Sequence, residues 1–249
     1  RPGAQRAEFL CDPTPAQVNQ LLEFSDVIRR ITLAPELPGA LDAIERFTGA
    51  GIAVSAGHSD AWDEEARAAF ERGLRHTTHT FKCMSSARRR GHLRVAGLLE
   101  FALSEPEIMC ELIADGHHVS ATLMRMLYRA KGAAGICLVT DATAGAGLPD
   151  ESHFTLAGRE CVVRGSACYL GDGTALAGST ARMIDLVRIM VRDVGVPLCE
   201  AISIAAANPA RAASLHDKGK LAPNHAADFS VLTPNLEVTE TWLAGVRLV

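Results

Sequence analysis

Apolar positions along the chain follow two periods. Val27 to Ala34, Ile52 to Ala56, Arg75 to Thr80, Ile108 to Ala114 and Ile136 to Thr140 are short apolar or β-branched runs of single-strand length. Arg29 and Arg30 interrupt the first of them. Between these runs the spacing becomes helical. Leu41, Ile44 and Phe47 recur every three residues, and Trp62, Ala66, Ala69 and Phe70 share one helical face. Val95 to Leu103 and Val119 to Ala130 continue the pattern, the latter rich in Leu and Met. Five strand-then-helix units predict an α/β architecture on a parallel sheet, either an open doubly wound sheet or a (β/α)₈ barrel. No GxGxxG or P-loop sequence follows any of the strands.

The pattern changes after Asp141. Phe154 to Tyr169, with glycine turns at Gly158-Arg159 and Gly165-Ser166, reads as a short antiparallel meander. Helices resume at Thr180 to Val194 and Leu198 to Ala207. The second is expected to stop at Asn208-Pro209, since a residue before proline avoids the helical region. From Gly219 the chain reads as short strands with turns at Pro223-Asn224 and Pro234-Asn235.

Composition narrows the class. The chain has 249 residues, 48% apolar and 22% charged, enough to bury a core. A formal net charge of −4 offers no basic footprint for nucleic acid. No apolar run approaches the ~20 residues that span a bilayer, so no membrane partner is expected. Seven cysteines lie scattered without a CxxC pair, which reads as reduced thiols in a cytoplasmic protein. The opening Arg1-Pro2-Gly3-Ala4 has no initiator Met and no signal-peptide core, and reads as the interior of a longer protein.

The strand ends carry the chemistry. They read Ala34-Pro35-Glu36, Gly57-His58-Ser59, Thr78-His79-Thr80, Asp115-Gly116-His117-His118 and Thr140-Asp141-Ala142. In α/β barrels the site is assembled at the carboxyl ends of several strands. One carboxylate and two imidazoles form an open three-ligand zinc set with a position left for water. Each residue also has a plain structural reading. Glu36 could be a solvated loop carboxylate, His58 a helix N-terminal residue, His79 an edge-strand residue and Asp141 a cap. His117 and His118, if on a strand, face opposite sides, so one of them would meet the site.

Taken in order, these strings resemble the N-acetylglucosamine-6-phosphate deacetylases of the amidohydrolase superfamily. The matching strings are Leu33-Ala34-Pro35-Glu36, Ala56-Gly57-His58-Ser59-Asp60-Ala61, Thr78-His79-Thr80-Phe81, Ile113-Ala114-Asp115-Gly116-His117-His118-Val119 and Leu138-Val139-Thr140-Asp141-Ala142. Leu176-Ala177-Gly178-Ser179, Asn208-Pro209-Ala210 and Ala226-Ala227-Asp228-Phe229 complete the set. The resemblance implies metal ligands at Glu36, His58 and His79, a general acid/base at Asp141 and a substrate-binding histidine at His118. It also implies a sugar-contacting loop at Leu176, Ala177, Gly178 and Ser179. The cofactor would be a divalent metal, zinc or another. The fold would be a (β/α)₈ TIM-type barrel whose N-terminal strands are missing from this chain, plus strands of a small β-sandwich. Residues 1–150 would carry the metal site, 151–215 a β insertion, the sugar loop and closing helices, and 216–249 the sandwich strands.

Two departures stand out. Where the family reads Asn after Leu-Phe, this chain has Lys82, followed by Cys83, both expected to face substrate. Lysine can still hold phosphate as a point charge. At Arg88-Arg89-Arg90-Gly91 the family places one phosphate-binding arginine, matched here to Arg90, which in relatives reaches the neighbouring subunit's site. The implied partners are therefore a small amino-sugar phosphate and a second subunit in a homodimer. The implied reaction is hydrolysis of the acetamide to acetate and the free amino sugar phosphate. Action on another N-acyl amino sugar or cyclic amide, or silent sugar-phosphate binding, stays open at this point.

Overall fold

In the computed structural model, which describes residues Arg1–Val249, the chain enters through helix α1 (Pro15–Leu22), capped by Thr14 and Gln17. Then β1 (Arg30–Leu33), α2 (Ala40–Gly49), β2 (Ala53–Ala56), α3 (Asp63–Glu71) and β3 (His76–Thr77) alternate. A hairpin of β4 (Arg88–Arg90) and β5 (Leu93–Val95) precedes α4 (Leu98–Ser104), β6 (Met109–Leu112), α5 (Ala121–Lys131) and β7 (Ile136–Leu138). Strands β1, β2, β3, β6 and β7 form one sheet in that order, and every pairing is parallel.

Alternation along the strands decides what each face does. Ile31, Leu33, Val54, Ala56, Cys110, Leu112, Ile136 and Leu138 pack with the helices in one cluster that includes 31 buried residues. The opposite face carries Arg30, Thr32, Ser55, Thr78 and Glu111, linked to one another. Arg30 pairs with Glu111 at 2.7 Å and donates to Ser55 Oγ at 2.9 Å. Ser55 and Thr32 each meet the Thr78 hydroxyl, at 2.7 and 2.8 Å. Arg30, which breaks the first apolar run, is therefore an inward-facing residue with its own partner.

Helices α1 to α5 contact one another in sequence order, as a single layer covering one face. A doubly wound sheet would carry helices on both faces, so this arrangement excludes that alternative. The full barrel is not present either. Five strands leave β1 and β7 as free edges, whereas closure of this barrel type takes eight. The structure is an open α/β sheet with one polar and one helix-covered face.

After β7 the chain builds a four-stranded antiparallel sheet. Its strands are β8 (His153–Leu156), β9 (Arg159–Arg164), β10 (Ala167–Leu170) and β11 (Leu176–Ser179), in the order β11-β10-β9-β8. The expected meander is present, but Leu176–Ser179 is its fourth strand and not a loop, because it pairs with β10. Then come α6 (Met183–Ile189), extended by a π-helical turn, α7 (Leu198–Ala205) and α8 (Ala207–Ala212). The helix does not stop at Asn208-Pro209. It breaks at Ala206 (φ −129°) and restarts with Pro209 in the first turn of α8, where proline costs no hydrogen bond. Asn208 is buried there, its amide donating to the carbonyls of Ala133 and Ile136. The last strands, β12 (Phe229–Leu232), β13 (Val238–Leu243) and β14 (Val246–Arg247), make one antiparallel sheet and not two facing layers.

Two boundaries moved for local reasons. Val95 belongs to β5, and α4 starts only at Leu98, where Glu100 accepts the Gly97 N–H. The β3 run shortens to two residues because the chain turns out of the sheet at His79. All seven cysteines are free thiols. No helix is long and apolar enough to cross a membrane.

His76 gives the sheet a pH dependence. Burial, then the charges of Arg30, Arg211 and Arg75, depress its pKa from 6.5 to about 4. Below pH 6.5 the unfolded chain takes up a proton that the folded protein refuses, so stability falls as pH drops from about 6.5 towards 4. The expected loss is about 2 kcal/mol by pH 5. His76→Phe should flatten this part of the acid limb, measured as the difference between urea midpoints at pH 7 and pH 5.

Candidate active site at the strand ends

His58 follows β2 by two residues, His79 follows β3 by two, and Asp141 follows β7 by three. All three have left-handed backbones, with φ of 51°, 32° and 52°. Non-glycine residues there are uncommon and cost of order 1–3 kcal/mol, and such residues cluster at functional sites. Surrounding backbone bonds hold them in place. Ser59 N donates to Cys83 O, Thr80 N to Glu111 O, and Ser179 N to Asp141 O. Glu111 also accepts the His79 N–H through its side chain at 3.2 Å.

The two imidazoles meet edge to face with their Nε2 atoms 3.0 Å apart. His58 Nδ1 lies 2.8 Å from the Arg1 carbonyl, which can only accept, so Nδ1 carries a proton. One further proton then lies between the two Nε2 atoms. Without it, two lone pairs face each other and a cation must separate them. Two ligands about 2.0–2.1 Å from one zinc ion stand roughly 3.3 Å apart at the tetrahedral angle, close to this spacing. The pair thus fits a divalent cation. His79 Nδ1 is buried without a partner. Burial, then the adjacent His58, pushes the His79 pKa down, while the Cys83 thiol beside His58 pushes His58 up. The same contact holds the Cys83 thiol below its usual value.

Glu36 lies on the other side of His58. Its carboxylate accepts from Ser59 Oγ at 2.7 Å and from the Asp60 N–H. No group of three His, Cys, Asp or Glu side chains converges as a ligand cluster. Two clefts share His58. One, of about 610 Å³, is lined by Glu36 and His58. The other, of about 450 Å³, brings together His58, His79, Lys82, Cys83, His118 and Asp141. Leu176, Ala177 and Gly178 form a wall of that second cleft.

Of the sequence-derived residues, three lie elsewhere. Glu36 is in the first cleft. Ser179 is fully buried, its hydroxyl donating to the Thr140 carbonyl, so it braces the Asp141 loop and does not face the cleft. Arg90 is held in the β4–β5 hairpin by Glu64 at 2.6 Å and lies over the Trp62 ring. It does not line the cleft of its own chain.

His117 and His118 are not on a strand. Both sit in the turn after β6, His117 exposed and His118 in the cleft. The sequence reading assigned no role to Asp115, whose carboxylate contacts the His118 ring at 2.6 Å. Burial pushes the Asp115 pKa up, but bonds from the His118 ring and the loop N–H groups outweigh it and hold the carboxyl low. The available signal was an Asp three residues before a cleft histidine, with a glycine between. Glu111, the brace of His79, carried no sequence signal, since it looks like a polar interruption of an apolar strand.

The sequence profile of the amidohydrolase family matches residues 23–248. The chain is 34% identical to an N-acetylglucosamine-6-phosphate deacetylase of Haemophilus influenzae, over 98% of its own length and 62% of that relative. It is 35% identical to an N-acetylgalactosamine-6-phosphate deacetylase of Escherichia coli O157:H7, over 98% and 63%. The crystal structure of N-acetylglucosamine-6-phosphate deacetylase from Pasteurella multocida superposes with a TM-score of 0.90 at 34% identity, over 98% of this chain and 62% of that one. The chain thus spans less than two thirds of the length of these relatives.

Gly178 has φ +84°, and a Cβ there would stand 2.5 Å from Thr143 Cγ2 and 2.7 Å from the Asp141 carbonyl. Gly178→Ala should push β11 off the Asp141 loop at a cost of about 1–3 kcal/mol. Faster hydrogen exchange at the Ser179 amide, which bonds Asp141 O, is the expected readout.

Proposed function

The chain belongs to the amidohydrolase family, and from that membership and the cleft geometry we propose that it deacetylates N-acetylglucosamine-6-phosphate, giving acetate and glucosamine-6-phosphate. The observation that carries the reading is the cleft itself. It holds two facing imidazoles, a carboxylate and an acceptor-bound histidine at the ends of successive parallel strands. The names of the relatives supply the substrate class. In the whole protein the five strands are an arc of a (β/α)₈ barrel and the C-terminal strands part of a β-sandwich.

His58 and His79 would hold a divalent metal, zinc or another, with Glu36 as third ligand. Its two oxygens keep lone pairs beyond the two bonds they accept. When bound, such an ion polarises the acetyl carbonyl and acidifies water. Asp141, at the cleft mouth, takes a proton from the attacking water and returns it to the leaving nitrogen as general base and then acid. His118 binds the sugar, and Leu176, Ala177 and Gly178 pack along it. Lys82, on the loop three residues after His79, reaches the phosphate with a charge-assisted contact, roughly twice as strong as a neutral one. Arg90 serves the cleft of a second subunit in a homodimer.

His58→Ala and His79→Ala should each lose stoichiometric divalent metal in elemental analysis, and unchanged metal in both would refute the ligand assignment. Asp141→Asn should retain metal while turnover falls about 10²–10⁴-fold.

Lys82→Ala should raise KM for the 6-phosphorylated substrate and leave KM for the unphosphorylated sugar unchanged. Equal effects on both would remove Lys82 from phosphate binding.

A further inference from the structure

The turn after β6 contains a closed polar unit. Asp115 Oδ1 accepts the backbone N–H groups of His117 and His118, both at 2.9 Å. Asp115 Oδ2 lies 2.6 Å from His118 Nδ1. The Asp115 side chain is fully enclosed and that of His118 is 3% exposed, so no solvent competes for these bonds. Gly116 turns the chain between them with φ +78°. An ionised carboxylate only accepts, so the proton of the Oδ2–Nδ1 bond sits on the ring. Nδ1 is thereby used up, and Nε2 is the nitrogen left to meet a ligand in the cleft.

Building on the deacetylase reading, we propose that Asp115 is a positioning residue that fixes neutral His118 as the Nδ1–H tautomer, so that Nε2 accepts a hydrogen bond from a sugar hydroxyl. The acetyl carbonyl oxygen cannot be its partner, because both atoms would be acceptors. His118 then reads the sugar, and polarising the carbonyl falls to other groups. A neutral imidazole whose tautomer is set by its carboxylate neighbour loses function when that neighbour becomes an amide.

Asp115→Asn separates orientation from structure. The amide oxygen can still accept both loop N–H groups, while its NH₂ donates to His118 Nδ1 and moves the ring proton to Nε2. Nitrogen-15 spectra of the His118 ring, assigned with His118→Gln, should show protonated Nδ1 in the parent and protonated Nε2 in the variant, with or without substrate. KM for N-acetylglucosamine-6-phosphate should rise about tenfold or more in the variant. One monodeoxy analogue, lacking the hydroxyl that is read, should be insensitive to the substitution.

Protonation of Nε2, or of both nitrogens, in the parent at pH 7.5 would overturn the proposal. So would an unchanged tautomer in the variant, or an equal loss on every deoxy analogue, the mark of a purely structural role. If the variant fails to fold, the parent spectrum alone decides. If the parent deacetylates nothing, the function reading falls while the ring spectra still test the tautomer.

Discussion

A parallel sheet sends every strand the same way, so five carboxyl ends share one edge. Whatever follows each strand by two or three residues stands beside its counterparts, however far apart in sequence. His58, His79, His118 and Asp141 come from four separate connections and line one cleft for this reason. The alternation of side chains along the same strands separates the two faces. Apolar residues reach the helix layer and a hydroxyl–guanidinium–carboxylate network fills the other side.

The site has an energetic cost that the rest of the fold must meet. Four of its residues, His58, His79, Cys83 and Asp141, occupy left-handed backbone at of order 1–3 kcal/mol each. Bonds from neighbouring connections hold them there: Cys83 O to the loop after His58, Glu111 to the loop after His79, and β11 to Asp141. Glu111 in turn is tied to Arg30 on β1. The polar face is thus the support of the strand ends, and breaking the Arg30–Glu111 pair would leave a buried charge uncompensated beneath His79.

In the loop Phe81–Met84 the structure sets a thiol and an ammonium beside the imidazole pair. Cys83 and His58 shift each other in opposite directions, towards thiolate and imidazolium. The antiparallel sheet β8–β11 covers the opposite side. Its fourth strand reaches the cleft because Gly178 allows a close approach to Asp141 that no side chain would permit.

The sequence by itself determined the alternation of strands and helices, since buried faces impose periods of two and 3.6 on apolar positions. It also determined which polar residues end the strands, because turns and strand ends are local. It could not separate an open doubly wound sheet from a barrel arc, as both have the same period. The tertiary structure excluded the doubly wound sheet, because its helices form a single layer. Nor could the sequence tell that Ser179 braces while Gly178 lets β11 close on the Asp141 loop, that Arg90 pairs with Glu64, or that Asp115 grips the His118 ring. Those outcomes depend on which partner each side chain meets across the fold. Partners tens of residues away leave no periodicity in the chain, and the short Asp115–His118 contact depends on the turn that closes it.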